Sequence, residues 1–226
     1  MKSTLRFTKI SRLALTLVIA LGFGTACADD VRDTRAILDI VFPQDVEAEL
    51  ALMGAPQHLR SGATVYVYGE NGFIKTRDGI NGFTCMLNRD GFLHGGKSFK
   101  PTCWDTEGLT SYVPVMLRVG ELLAAGKSTE GVRANIDAGF REGKFRRPTK
   151  TGVAYMLVGD VDLDPKTGEI RRTSFPGHYM IYAPGVTNKD LGYSADAGRI
   201  DRSLPFIFDR GAGGTELAYL ITVPHH

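Results

Sequence analysis

The chain predicts an α+β fold with a largely antiparallel sheet, in which an αα-hairpin is inserted between an N-terminal three-strand meander and C-terminal strands. Three patterns carry this prediction. Short alternating segments separated by glycine turns occupy residues 63–87. Two apolar stripes of helical period follow between 112 and 143. Further short β-type segments fill the chain from 153 onward.

Taken in order, residues 30–42 carry Val31, Ile37, Leu38 and Val41, a patchy helical pattern that ends before Pro43. A clearer helix is predicted over Gln44 to Met53, with Val46, Leu50 and Met53 on one face and Gly54 as its stop. In 63–68, Val65 and Val67 alternate with Thr64, Tyr66 and Tyr68. Glu70-Asn71-Gly72 turns the chain, Phe73 to Arg77 returns as the second arm, and Gly82 to Leu87 supplies the third strand. Residues 88–102 hold Gly91, Gly95, Gly96 and Pro101 with little periodicity, which predicts a loop. The hairpin helices are expected over Tyr112 to Ala125 and from Ser128 or Thr129 to Gly143. Pro114 is admissible there only in a first turn. Val153 to Val158 is apolar on both alternating faces and predicts a central strand. Asp164-Pro165-Lys166-Thr167-Gly168 is a turn. His178 to Ala183, Pro205 to Phe208 and Leu217 to Val223 complete the strands.

The N-terminus has its own logic. Lys2, Arg6, Lys9 and Arg12 precede an apolar run from Leu13 to Phe23, and Ala26-Cys27-Ala28 follows. That order predicts a secretory signal over 1–28 and a single domain over 29–226. Loss of the signal takes four basic residues and no acidic one, so the formal charge of +2 becomes −2. A mildly acidic surface implies neither a nucleic-acid partner nor an anionic membrane surface. The alternative is an envelope lipoprotein cut before Cys27 and acylated there, although Gly24 stands where such signals usually carry Leu.

With Cys27 removed, Cys85 and Cys103 remain. An even count in an exported chain predicts one disulfide, worth about 3 kcal/mol through the loop that it closes. The competing reading pairs a free thiol with His94 or His178 as a nucleophile.

Several motifs carry chemistry on paper. Gly91 to Ser98 has the spelling of a phosphate-binding loop, but Pro101 obstructs the helix that such a loop needs. A glycine loop that binds no nucleotide is the expectation. Asp160, Asp162 and Asp164 alternate like the start of a calcium loop, yet position twelve is Arg171 rather than a bidentate Glu. His225 and His226 have no third ligand in view, so no metal and no cofactor is predicted. His178 follows Pro176-Gly177, begins a strand, and shares a face with Met180 and Tyr182. With Asn188 and Asp190 from the next polar loop it makes the candidate catalytic group, His178 serving as general base.

As a set, Asn81 to Cys85, Cys103-Trp104-Asp105, Glu121 to Ser128, Gly152 to Leu157, His178 to Pro184 and Asn188 to Gly192 resemble a family of uncharacterised bacterial exported proteins, over roughly residues 45–223. Trp104 stands where that family is expected to carry Tyr, which keeps an aromatic ring. The resemblance implies a bacterial source and an exported location, periplasmic or secreted, and brings no activity with it. The expectation is an exported soluble protein acting as a binding module, for a small molecule or an envelope component, with no transmembrane span after processing. An exported hydrolase centred on His178 is the alternative.

Overall fold

The computed structural model describes residues 41–94, 98–163, 169–173, 175–194 and 200–224. The predicted signal with Cys27, the 30–40 segment, Gly95 to Lys97, the Asp164–Gly168 turn and the two terminal histidines lie outside the described residues.

Helix α1 (Gln44–Met53) and the single turn α2 (Gln57–Arg60) lead into β1 (Thr64–Gly69), β2 (Gly72–Arg77) and β3 (Thr84–Asn88). A 3-10 turn (Asp90–His94) precedes β4 (Lys100–Trp104). Helices α3 (Thr106–Ala124) and α4 (Thr129–Arg141) come next. The remainder is β5 (Val153–Met156), β6 (Val161–Leu163), β7 (Ile170–Arg172), β8 (His178–Tyr182), β9 (Phe206–Phe208) and β10 (Tyr219–Thr222). The α+β class is as predicted. The main sheet is eight-stranded, in the order β2-β1-β3-β4-β5-β8-β10-β9, while β6 and β7 pair separately.

The N-terminal strands are not a meander. β2 pairs with β1 antiparallel, but β3 joins the other side of β1 and runs parallel to it. Burial decides this. β3 is buried along its whole length, whereas β2 exposes Ile74, Lys75 and Thr76, so β3 must lie inside the sheet and β2 at its edge. The connection passes beneath the start of β1, where Ile80 N–H and Asn81 N–H both donate to Gly62 O. Gly79 makes the crossing fit, since a Cβ there would lie 2.2 Å from the Thr64 nitrogen.

Two further expectations need correction. The predicted loop over 88–102 contains β4, every residue of which is buried. Its Pro101 faces Leu87 of β3, while the pairing with β5 is confined to Cys103 and Trp104, so the lost N–H falls where one side of the strand has no partner. The first long helix starts at Thr106, not Tyr112. Asp105 caps it by accepting from Gly108 N–H at 3.0 Å, and Pro114 lies in its interior. An interior proline costs about 3 kcal/mol. The buried face formed by Tyr112, Val115, Met116, Val119 and Leu122 offsets that cost, each such side chain being worth about 1.5–3 kcal/mol.

Helix α1 covers one face of the sheet beside Cys85 and Cys103, which are bonded at 2.07 Å across the paired positions of β3 and β4. Helix α3 covers the other face at the β2–β4 end, above Met86 and Trp104. That second face continues past the helix onto β5, β8, β10 and β9.

Candidate binding site

His178 opens β8 opposite Met156, the last residue of β5. Gly177 lets the two strands meet, because a Cβ there would lie 2.0 Å from Leu157 O. His178, Met180 and Tyr182 alternate inward, as expected from the sequence. The imidazole is 1% exposed and packs edge-on against Phe175, 4.8 Å between ring centres. Its Nδ1 lies 2.9 Å from Pro176 O. A carbonyl only accepts, so Nδ1 carries the hydrogen and Nε2 is left as an acceptor.

Burial holds the His178 pKa below its ordinary 6.5; the Pro176 carbonyl and Asp160 oppose that shift and Lys100 adds to it. As pH falls through about 6.5, the unfolded chain binds the proton before the folded one does. The stability tied to neutral His178 is therefore present above that pH and lost below it. Urea unfolding is expected to show wild type losing more stability than His178→Asn between about pH 7.5 and 5.5, with a difference in slope of at most about 1.4 kcal/mol per pH unit.

The ring lines a cavity of about 200 Å³. Met156, Met180, Ile221, Phe206 and Phe208 form its apolar wall from four strands. Phe175 and Arg202 stand together at one side, the guanidinium 5.6 Å from the ring centre. Trp104 and Tyr219 form the floor. The Tyr219 hydroxyl accepts from the indole N–H at 2.7 Å, and its ring stacks on Tyr112 at 4.5 Å. Burial, then the neighbouring Tyr112 and Tyr182, push the Tyr219 phenol well above 10, so it stays protonated.

The other end of the cavity is polar. Asp90 Oδ1 accepts from Asn88 Nδ2 at 3.0 Å and from Lys100 Nζ at 3.2 Å, and Asp90 N–H donates back to Asn88 Oδ1 at 2.9 Å. All three residues are buried. The Lys100 ammonium also lies 5.1 Å from the Phe208 ring centre. Asp160 is half-buried on the cavity wall and accepts from Ser98 Oγ at 2.8 Å. Thr102 Oγ donates to Lys100 O.

Asn188 and Asp190 do not join His178. Both follow β8, and neither lines the cavity. Asn188 clasps the backbone of β9, donating to Ile207 O at 2.9 Å and accepting from Ile207 N–H at 2.7 Å. Asp190 accepts from Thr187 N–H and Thr187 Oγ in a capping box on the short turn Asn188–Leu191. The three candidate residues are not brought together, since Asn188 is taken up by the backbone of β9 and Asp190 by Thr187 of its own turn. Asn188→Ala is expected to lower stability by about 1–2 kcal/mol in urea unfolding and to leave cavity binding unchanged.

Asn88, Asp90 and Lys100 were hidden in the segment read as a loop. The signal that could have found them is the polar Asn88-Arg89-Asp90 run wedged between apolar Leu87 and Phe92. The phosphate-loop spelling has a strand, not a helix, on its C-terminal side, beginning at Lys100. Among the described residues, no group of three or more His, Cys, Asp or Glu side chains could hold a metal, and no helix is long and apolar enough to cross a membrane. No described hydroxyl or thiol is hydrogen-bonded to His178. The described lining thus combines an apolar wall with fixed polar groups. No protein-family model, no curated protein and no solved structure matches the chain.

Proposed function

We propose that this is an exported binding module whose cavity takes one small amphipathic molecule. The observation that carries the reading is the convergence of a buried imidazole acceptor and the Asn88–Asp90–Lys100 cluster on a concave, largely apolar space. An apolar wall with polar groups gathered at one end suits an amphipathic small molecule. A cavity of about 150 Å³ is enough to hold benzene, so this one suits a single ring or a short chain. Export is supported by the basic–apolar–Ala26-Cys27-Ala28 order at the N-terminus and by the Cys85–Cys103 disulfide, a bond that is rare outside oxidising compartments. The periplasm or the medium is the proposed location.

The hydrolase alternative has one feature in its favour, the neutral Nε2 of His178, which is the state a general base requires. Among the described residues no hydroxyl or thiol is bonded to His178, and Asn188 and Asp190 are committed elsewhere.

Methyl NMR tests the binding reading. Single-ring probes of differing charge, added to protein labelled at the methionine methyls, should shift Met156 and Met180 and leave Met53, which packs against α1's own cluster, unmoved. If no probe of any charge moves Met156 or Met180, the cavity does not bind small molecules and the reading fails.

A further inference from the structure

We infer that the molecule bound in this cavity is a small monovalent amine, an ammonium group on a single-ring or short aliphatic body. The inference rests on the proposed binding role and adds the chemical class of the ligand.

The charge count of the described lining residues points this way. Asp90 and Asp160 bring two carboxylates and Lys100 one ammonium. Arg202 is exposed and rests on Phe175 at the rim, where water screens it. His178 is held neutral. Leaving aside the screened Arg202, the described lining therefore carries one more negative than positive charge. A ligand of charge +1 balances it, whereas an anion would be desolvated against two carboxylates and a lone pair.

Hydrogen-bonding capacity agrees. Asp90 Oδ1 receives both Asn88 and Lys100, and no described residue bonds to Oδ2. Gly211 lies beside Oδ2, where a Cβ would come within 3.0 Å of it. Asp160 Oδ2 receives Ser98, and no described residue bonds to Oδ1. His178 Nε2 is the third acceptor. Buried polar groups demand partners, and the open atoms of Asp90, Asp160 and His178 all accept. An ammonium offers three donors and no acceptor. The rings are also suited to a cation: Phe208 and Phe175 already carry Lys100 and Arg202 on their faces.

Calorimetric titration with benzylammonium, benzyl alcohol and benzoate at neutral pH separates the classes, with the Met180 methyl signal locating each probe. Benzylammonium is expected to bind about tenfold or more tighter than benzyl alcohol, as a charge-assisted hydrogen bond would require, and benzoate is expected not to bind. Asp160→Asn keeps an oxygen for Ser98 and removes the charge. It should bring benzylammonium down to the level of the alcohol while leaving the alcohol's own affinity unchanged. Benzyl alcohol or benzoate binding as tightly as benzylammonium would overturn the amine inference and leave the binding role standing. An undiminished preference for benzylammonium in Asp160→Asn would overturn it too. Silence of the Met180 methyl toward all three probes would remove the binding role itself, and this inference with it.

Discussion

Glu47→Ala is expected to cost about 3–5 kcal/mol of unfolding free energy, the loss that follows when one partner of a buried ion pair is removed. Glu47 of α1 and Arg89, which follows β3, are both wholly buried and meet at 3.0 Å. Glu47 Oε1 also accepts from the Tyr68 backbone N–H at 2.9 Å. The guanidinium lies between Tyr68 and Phe99, 4.2 and 4.8 Å from their ring centres, with Phe42 at 5.9 Å. Burial pushes the Glu47 carboxyl up and the Arg89 guanidinium down, and each is held charged against that push chiefly by the other. Removing Glu47 strands a cation among three rings, with Arg89 Nε and Nη1 already lacking partners. Because Arg89 is so incompletely satisfied, the pair adds little over an apolar one of the same volume. Glu47→Leu with Arg89→Met should therefore recover most of the loss. Urea unfolding of the single and double variants checks both statements. A loss under about 1 kcal/mol for Glu47→Ala, or a double variant as weak as the single one, would show that the pair is not the lock described.

That ion pair also shows where sequence reasoning stops. The span of α1 was legible from its period and its stop at Gly54, and its inward face is right at Leu50 and Met53 but not at Val46. Val46 was expected inside and is 37% exposed, while Glu47 is buried. A glutamate reads as a surface residue until its partner arrives from Arg89, 42 positions away. β4 was lost for a similar reason. Lys100 and Pro101 are poor strand signals, and only pairing with β3 and the burial of Lys100 against Asp90 make them one. The parallel placement of β3 was concealed because the short connection from Asp78 to Phe83 looks the same whether it turns back beside β2 or passes under β1. His178 was legible because Pro-Gly before an alternating segment is local information. Its true companions were not, because Asn88, Asp90 and Lys100 come from β3, β4 and the turn between them, whereas Asn188 and Asp190 were merely near in sequence.

Removing the disulfide, by Cys85→Ala with Cys103→Ala, is expected to lower stability by about 2–4 kcal/mol and to weaken cavity binding as well. The stability term follows from the unfolded chain, which regains the freedom of the 18-residue separation that the bond had restrained. Two sulfurs are also lost from a site where both cysteines are fully buried beneath Ala51 and Ala55 of the α1 side. The binding term follows from where the loop runs. Asn88, Asp90, Lys100 and Thr102, the polar end of the cavity, all lie between the two cysteines in sequence. The bond sits at the far end of the β3–β4 ladder from the turn that carries Asp90, with Cys85 opposite Cys103 and Asn88 opposite Lys100. It thus holds the register that brings Lys100 to Asp90. Slippage of that ladder by one residue would turn Lys100 and Thr102 to the opposite face. Mass spectrometry after alkylation should label neither cysteine in the denatured, unreduced protein and both after reduction. Single-ring probe binding should weaken in the double variant even at temperatures where it is fully folded. A variant that loses stability yet binds the probes with unchanged affinity would show that the ladder keeps its register without the bond, and that the disulfide serves stability alone.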